Sequence, residues 1–174
     1  MKNHRKKKNL LTFDSLYREY FNHIYRFSHS LMGNPEEADD ITQETFIKLY
    51  RQLESGEETR NPKAWIYRVA ANSCYNHLKR KKLSRIILAK ENFPPDIAPG
   101  NIEEDMMKQQ EIYLLRSAIR KLPARDQVIL TLYKNGFSTT EIAETIKVKK
   151  NSIGKILARS VEKLSKVIKK GDAR

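Results

Sequence analysis

The sequence has few of the residues from which cross-links, metal sites and catalytic centres are built. Its one cysteine, Cys74, excludes an intramolecular disulfide and a multi-cysteine zinc site. The four histidines are scattered without metal-ligand spacing, and the sequence contains no glycine-rich phosphate-binding loop. We therefore expect no catalytic residue, no metal and no cofactor, and we expect Cys74 to be a structural thiol on an apolar helix stripe.

Glycine, proline and long apolar runs are also scarce. Six glycines and six prolines exclude collagen-like and proline-rich disordered chains. No apolar run approaches the roughly 18 residues of a membrane span. The basic start, MKNHRKKKN, leads into no long apolar stretch of the kind found in secretory signals. These absences predict a cytoplasmic protein.

Positive charge is abundant and unevenly placed. The 34 lysines and arginines outnumber the 21 acidic residues, which gives a formal net charge of +13. Bases concentrate in 2–8, 79–85 and 147–170, whereas 36–58 and 90–111 are acidic. This division predicts two kinds of partner, a nucleic acid for the basic surfaces and a protein for the acidic ones.

Apolar residues recur at helical intervals, and no strand-like alternation interrupts them. The pattern predicts helices over 13–31, 36–53, 62–88, 112–122 and 124–135. Residues 89–107 contain three prolines and several acids, which predicts a flexible linker. The expected fold class is therefore all-α, with two small helical domains joined by that linker.

The last third of the chain has the pattern of a helix-turn-helix. Ser138 and Glu141 stand as a capping box before a helix over 139–146. The apolar spacing that follows packs this helix against a second one over about 150–168. In a helix-turn-helix of this kind the second helix lies in the major groove of DNA.

Two residues depart from the usual pattern. Lys147 stands in the turn where glycine is common, and Gly154 lowers the helix propensity of the second helix by about 1 kcal/mol. The exposed positions of that helix suit contacts with phosphates and base edges. They are Lys149, Lys150, Asn151, Ser152, Lys155 and Arg159. Ser152, Lys155 and Arg159 lie three and four residues apart and therefore share one face.

Longer strings of the sequence resemble a known family. ADDITQETFIKLYRQL at 38–53 and NPKAWIYRVAANSCYNHLKRKK at 61–82 resemble region 2 of bacterial RNA polymerase sigma factors of the sigma-70 family. The stretch LRSAIRKLPARDQVILTLYKNGFSTTEIAETI at 115–146 and NSIGKILARSVEKL at 151–164 are similar to region 4 of the same family. The group that the chain resembles is the extracytoplasmic-function group (ECF, group IV).

The resemblance implies a domain organisation and a function. The implied division is a basic N-terminal tail at 1–12, region 2 at 13–88, an acidic linker at 89–107 and region 4 at 108–174. A sigma factor has no catalytic activity; it binds core RNA polymerase and directs promoter-specific initiation by reading the −35 and −10 elements, here in a stress response. The implied partners are the polymerase core, through its β′ clamp helices and β subunit, promoter DNA, and an anti-sigma factor, either soluble or membrane-bound.

The resemblance also implies roles for individual residues. In the family the second helix of region 2 docks on the β′ clamp helices, and its polar face here consists of Asp40, Gln43, Glu44, Lys48 and Arg51. Reading of the −35 element is assigned to the exposed positions of the second helix-turn-helix helix, from Lys149 to Arg159.

The third helix of region 2 reads the −10 element as a single strand, with bases turned out of the stack. Its implied contacts are Asn72 with a flipped base, Tyr67 as an aromatic platform, and Arg68, Lys79 and Arg80 on the DNA backbone. Trp65 is expected in the core instead. The loop 54–62, which captures a base in the family, has no aromatic residue here, so the −10 preference of relatives does not carry over.

Two other functions stay open on the sequence alone. A stand-alone helix-turn-helix repressor would bind a palindromic operator without polymerase. A basic RNA-binding helical protein would bind structured RNA tightly, with no preference for promoters.

Overall fold

A computed structural model of the chain describes residues 2–56, 59, 61–87, 115 and 117–171, with side chains described only within 12–84 and 115–166. The regular structure of these residues is helical. In chain order the helices are α1 (Lys2–Met32), α2 (Pro35–Ser55), α3 (Pro62–Ile87), α4 (Ala124–Lys134), α5 (Thr139–Thr145) and α6 (Lys150–Gly171). Residues 117–120 are also helical. The all-α prediction is therefore confirmed.

The chain divides into two compact units. The first is built on α1, α2 and α3 as far as Asn76, and the second is built chiefly on α4 and α6. The predicted linker at 89–107 lies outside the described residues, and so do the side chains of 1–11 in the basic tail.

The break between α1 and α2 follows from three consecutive residues, which lie between the predicted helices over 13–31 and 36–53. Gly33 takes a left-handed φ of 72° and donates its N–H to the carbonyl of His29 at 2.9 Å, which closes α1. Asn34 then caps α2, because its side-chain oxygen accepts the N–H groups of Glu36 at 2.8 Å and Glu37 at 3.1 Å. The next residue, Pro35, occupies the first helical position.

Helix α1 is longer than its apolar periodicity predicts. It begins at Lys2, whereas the periodicity begins at Phe13. Apolar periodicity marks only the helix face that packs against a neighbour, so it gives no signal for the polar first turns of α1. The lysines and arginine of this stretch are good helix formers.

The core of the first unit lies where α1 packs against α2 and α3. The rings of Phe27 and Tyr67 join α1 to α3 edge to face, with 5.4 Å between their centroids. On α2 the buried hydroxyls of Thr42 and Thr45 each donate to a helix carbonyl at 2.7 Å, so neither is left unpaired. The largest buried apolar side chains of this unit are Ile24, Phe27, Leu31, Leu49 and Ile66.

The second unit packs α4 against α6 around a small aliphatic core. Its fully or nearly fully buried side chains include Val128, Ile129, Leu132, Ile142, Ile153 and Ile156. The buried Gln127 ties the preceding helical residues to α4, because its side-chain N–H₂ donates to the carbonyls of Leu122 at 2.9 Å and Arg120 at 3.1 Å. This framework holds the helix-turn-helix.

Candidate functional site

The capping box before α5 forms as the sequence predicted. The hydroxyl of Ser138 accepts the N–H of Glu141 at 3.2 Å, and the Glu141 carboxylate accepts the N–H of Ser138 at 2.8 Å. Two backbone donors at the start of the helix are thereby satisfied reciprocally. The box fixes where α5 begins and therefore the angle at which the chain enters the helix-turn-helix.

The turn between α5 and α6 takes a left-handed residue that is not glycine. Lys147 has a φ of 54°. The next N–H, that of Val148, donates to the carbonyl of Ala143 at 3.0 Å, which is the long closing bond of a Schellman motif. The turn therefore accommodates a lysine where glycine is common, and the lysine backbone is strained in this left-handed conformation.

The first half of α6 separates an apolar face from a basic one. Ile153 is completely buried and Ile156 nearly so. Of the predicted DNA-contacting residues, Ser152 is partly exposed. Exposed are Lys150, Asn151, Lys155 and Arg159 on α6, and Lys149 just before it. This surface matches what a major-groove helix requires, since cations and an amide project away from the core.

Few acidic groups lie on α6 to neutralise this face. The one carboxylate of the helix within 150–166, Glu162, pairs with Lys166 at 2.6 Å. The hydrogen bond and charge of Lys166 lower the pKa of Glu162. Among the described side chains, Lys149, Lys150 and Lys155 form no ion pair. Their charge stays available to a polyanion.

The predicted −10 residues of α3 do not all reach the surface. Asn72, Lys79 and Arg80 are exposed, and Arg68 is partly exposed. The Nε of Arg68 is buried and has no hydrogen-bond acceptor among the described residues. Asn72, Lys79 and Arg80 lie on one side of α3, because seven or eight residues make about two turns of an α-helix.

Tyr67 differs from the rest of this set. Its side chain is only 4% exposed, against Phe27, and burial raises the pKa of its hydroxyl. A base could stack on this ring only if the ring left its packing. Trp65, which the sequence assigned to the core, is instead partly exposed.

One exposed residue of α3 escaped the sequence reasoning. Asn76 lies one turn beyond Asn72 and is exposed like it. The two amides therefore follow one another along the same side of the helix. The four-residue spacing was visible in the sequence, but no motif singled out the second amide.

The polar face of α2 is exposed along its length, and it carries the five predicted polymerase-binding residues. Lys48 Nζ lies 2.7 Å from the Glu44 carboxylate one turn earlier. Gln43 donates to the Asp39 carboxylate at 2.7 Å. Asp40 and Arg51 stand toward opposite ends of this face, about three turns apart.

Ile47 interrupts this polar face, and the sequence reasoning missed it. The side chain is 52% exposed and lies one turn from both Gln43 and Arg51. The four-residue spacing was the available signal, but periodicity alone does not tell which apolar residue of a helix lacks a neighbour to cover it.

The loop after α2 begins with a glycine in a left-handed conformation. Gly56 has a φ of 77° and donates its N–H to the carbonyl of Leu53 at 3.2 Å. Within the predicted base-capturing loop 54–62, residues 57, 58 and 60 lie outside the described part. The loop ends at Asn61, whose side-chain oxygen accepts the N–H of Ala64 at 3.0 Å and starts α3.

The described part of the chain contains no group of three or more histidine, cysteine, aspartate or glutamate residues placed to hold a metal ion. Cys74 is completely buried, and this burial raises the pKa of its thiol to about 12. A thiol of this kind is unreactive at neutral pH. None of the described helices is both long and apolar enough to cross a bilayer.

Comparison with known proteins identifies both halves. Residues 16–84 match the family model described as Sigma-70 region 2, and residues 108–164 match that described as Sigma-70, region 4. The chain is 28% identical over 159 residues to the ECF RNA polymerase sigma factor SigW of Bacillus subtilis, across 86% of this chain and 85% of SigW. It is 30% identical over 161 residues to the RNA polymerase sigma-H factor of Pseudomonas aeruginosa, across 83% of each protein.

Among solved structures the fold resembles that of the sigma factor RpoE from Bartonella quintana, determined in complex with the anti-sigma factor NepR. The TM-score is 0.72 at 21% identity, over 91% of this chain and 97% of that chain. Because both sigma regions are matched in order, and because the sequence likeness to sigma factors runs through more than four fifths of the chain, this protein belongs to the extracytoplasmic-function group of the sigma-70 family.

Proposed function

We propose that this chain binds core RNA polymerase and directs promoter-specific initiation, with region 2 at 13–88, a connecting linker at 89–107 and region 4 at 108–174. The observation that carries the proposal is the match to region 2 followed by region 4 along one chain. A stand-alone repressor has no use for a region 2, and an RNA-binding protein has no use for either promoter-reading region. Both alternatives are therefore disfavoured.

Region 4 places α6 in the major groove of the −35 element. Lys155 and Arg159 read base edges, while Lys149 and Lys150, at the start of α6, hold the phosphate backbone. The exposure of these four basic residues, with Ile153 buried on the core side of α6, supports placing them against DNA. Residues near the beginning of a recognition helix and on its outer side are the ones that approach DNA.

Region 2 opens the −10 element along α3. The exposed amide of Asn72 contacts a base that has left the stack, and Lys79 and Arg80 follow the strand backbone. Arg68 belongs to the same group through the exposed part of its side chain, because its Nε is buried. We assign the aromatic contact to the partly exposed Trp65 rather than to Tyr67, because the Tyr67 ring is buried.

The polar face of α2 docks on the β′ clamp helices. Its exposed charges of both signs suit a charged coiled coil, and the face is continuous from Asp40 to Arg51. As a sigma factor the chain contributes promoter recognition, and the polymerase supplies the catalysis. We place it in the cytoplasm with the polymerase, under the control of an anti-sigma factor, as the similar fold of RpoE in its complex with NepR suggests.

Charge reversal on α2 tests the docking. The double substitution Asp40→Lys, Glu44→Lys should abolish co-purification with core polymerase, because it places two cations where the partner meets two anions. Both residues are exposed, so helicity by circular dichroism should persist. The control Glu19→Lys, Glu144→Lys makes the same change in net charge at exposed residues of α1 and α5 and should leave assembly intact. Normal assembly by the α2 variant would remove this helix from the interface.

A further inference from the structure

Helix α6 continues beyond the core on which it packs. It has 22 residues, which corresponds to a length of about 33 Å at 1.5 Å per residue. Ser160 is completely buried, and it is the last buried residue in the part of the helix whose side chains are described. Over 161–166 every side chain is exposed except that of Leu164, which is partly exposed. Core packing of the second unit therefore does not account for the second half of α6.

Four exposed bases follow one another along α6, at intervals of four, four and three residues. They are Lys155, Arg159, Lys163 and Lys166. Residues three and four apart are neighbours on a helix surface, so the four share one face. The first two are the residues proposed above to read bases of the −35 element. The face that meets DNA therefore continues into the second half of the helix.

The two bases in this second half differ in their surroundings. The Nζ of Lys166 lies 2.6 Å from the carboxylate of Glu162, one turn earlier. Lys163 forms no ion pair with any described side chain. An ammonium on a flexible four-carbon stem binds a phosphate as a point charge. Lys163 is therefore the cation of this half of α6 whose charge is available to a polyanion.

Distances along α6 match the dimensions of the major groove. Eight residues separate Lys155 from Lys163, which is about 12 Å along the helix axis. The major groove of B-DNA is about 12 Å wide. A helix that reads a base edge at Lys155 therefore reaches the backbone at the edge of the groove by Lys163. Lys150 and Lys163 lie about 20 Å apart along the axis, so they can contact the two strands that border the groove.

We propose that Lys163 binds a backbone phosphate on the strand that faces Lys149 and Lys150 across the −35 major groove. The inference rests on the proposed function, because it takes α6 as the helix that lies in this groove. Phosphate contacts carry no sequence information, but they fix the register and orientation of a protein on the duplex. Lys163 is thus a positioning residue, which holds the second end of the helix whose first half reads the bases.

Binding of the holoenzyme to promoter duplexes at several salt concentrations tests the contact. Each neutralised phosphate contributes about −0.9 to the slope of log K against log salt. With equal affinity at 1 M salt, Lys163→Gln should weaken binding about eightfold at 0.1 M and about twofold at 0.4 M. The loss should be the same on matched and scrambled −35 elements. The control Lys121→Gln removes the same charge from an exposed residue that precedes α4, and it should bind like the parent.

Neutral phosphates identify the partner of Lys163. In a set of promoter duplexes, one phosphate at a time on either strand of the −35 element is replaced by an uncharged methylphosphonate. The parent holoenzyme should lose affinity severalfold at one position on the proposed strand. Lys163→Gln should lose nothing more at that position, whereas Lys121→Gln should lose as much as the parent. This comparison is a double-mutant cycle in which the phosphate is one of the two partners.

Two results would overturn the contact. One is parental affinity in Lys163→Gln, which remains helical in any case because the residue is exposed and glutamine is a good helix former. The other is weaker binding by Lys163→Gln that still falls further at every phosphate to which the parent is sensitive; Lys163 would then contact a protein surface. Failure of the parent holoenzyme to prefer the matched −35 element, seen in the same titrations, would contradict the proposed function itself.

Discussion

Replacing Gly154 with alanine should stabilise the DNA-reading unit by an amount that follows from the structure. The residue lies in the interior of α6 and is exposed, and a Cβ built there meets no atom within 4 Å. Neither a clash nor added burial therefore contributes. What is left is the backbone entropy that glycine loses in a helix, which is about 0.5–1 kcal/mol relative to alanine. Gly154→Ala should raise the free energy of unfolding of α4 and α6 by that amount.

Hydrogen exchange of the α4 and α6 amides in the full chain measures this free energy for the unit alone. A gain of about 0.5–1 kcal/mol corresponds to exchange that is roughly two- to fivefold slower. Gly136→Ala is the matched control, because a Cβ there also meets nothing within 4 Å, but its φ is +82°. Alanine in the left-handed region costs about 1–2 kcal/mol, so the same amides should exchange faster. Faster exchange in Gly154→Ala, or equal shifts in the two variants, would refute the reasoning.

The remaining predictions concern promoter binding by the holoenzyme. Lys155→Ala should cost about 1–3 kcal/mol on a promoter with its matched −35 element and much less on a scrambled one, whereas Lys150→Ala should weaken both alike and lower the salt slope by about one unit. Titration of promoter binding at several salt concentrations distinguishes the two variants. An equal loss of binding free energy for Lys155→Ala on both promoters would show that Lys155 contacts a phosphate. Asn72→Ala should spare −35 binding and slow opening of the −10 bubble, as followed by permanganate footprinting; opening at the parental rate would argue against a base contact at Asn72.

Much of the fold could be predicted because its boundaries depend on local chemistry. Gly33 and Asn34 end one helix and start the next through contacts within a few residues, and the capping box of Ser138 and Glu141 is equally local. The sequence carries such features in adjacent positions. The resemblance to sigma factors then supplied the order of the two regions, which periodicity alone does not give.

The features that the sequence did not predict depend on which helix surfaces pack against one another. Tyr67 was predicted at the surface because its ring suits stacking on a base, but it is buried against Phe27 on α1. Ile47 was passed over because a single apolar residue on a polar helix face has no signal of its own. Next to it, the ring of Tyr17 on α1 contacts that of Phe46 on α2, with 4.9 Å between their centroids, and the spacing of residues within each helix does not predict this contact.

Transcription in vitro with purified core polymerase over a library of promoter fragments tests the central claim most directly. The chain should add transcripts from a discrete set of promoters that share a −35 and a −10 element, and the Asp40→Lys, Glu44→Lys variant should add none. The proposed function would be contradicted if the chain added no transcript to those of core polymerase while binding a palindromic DNA site, or a structured RNA, with high affinity by itself.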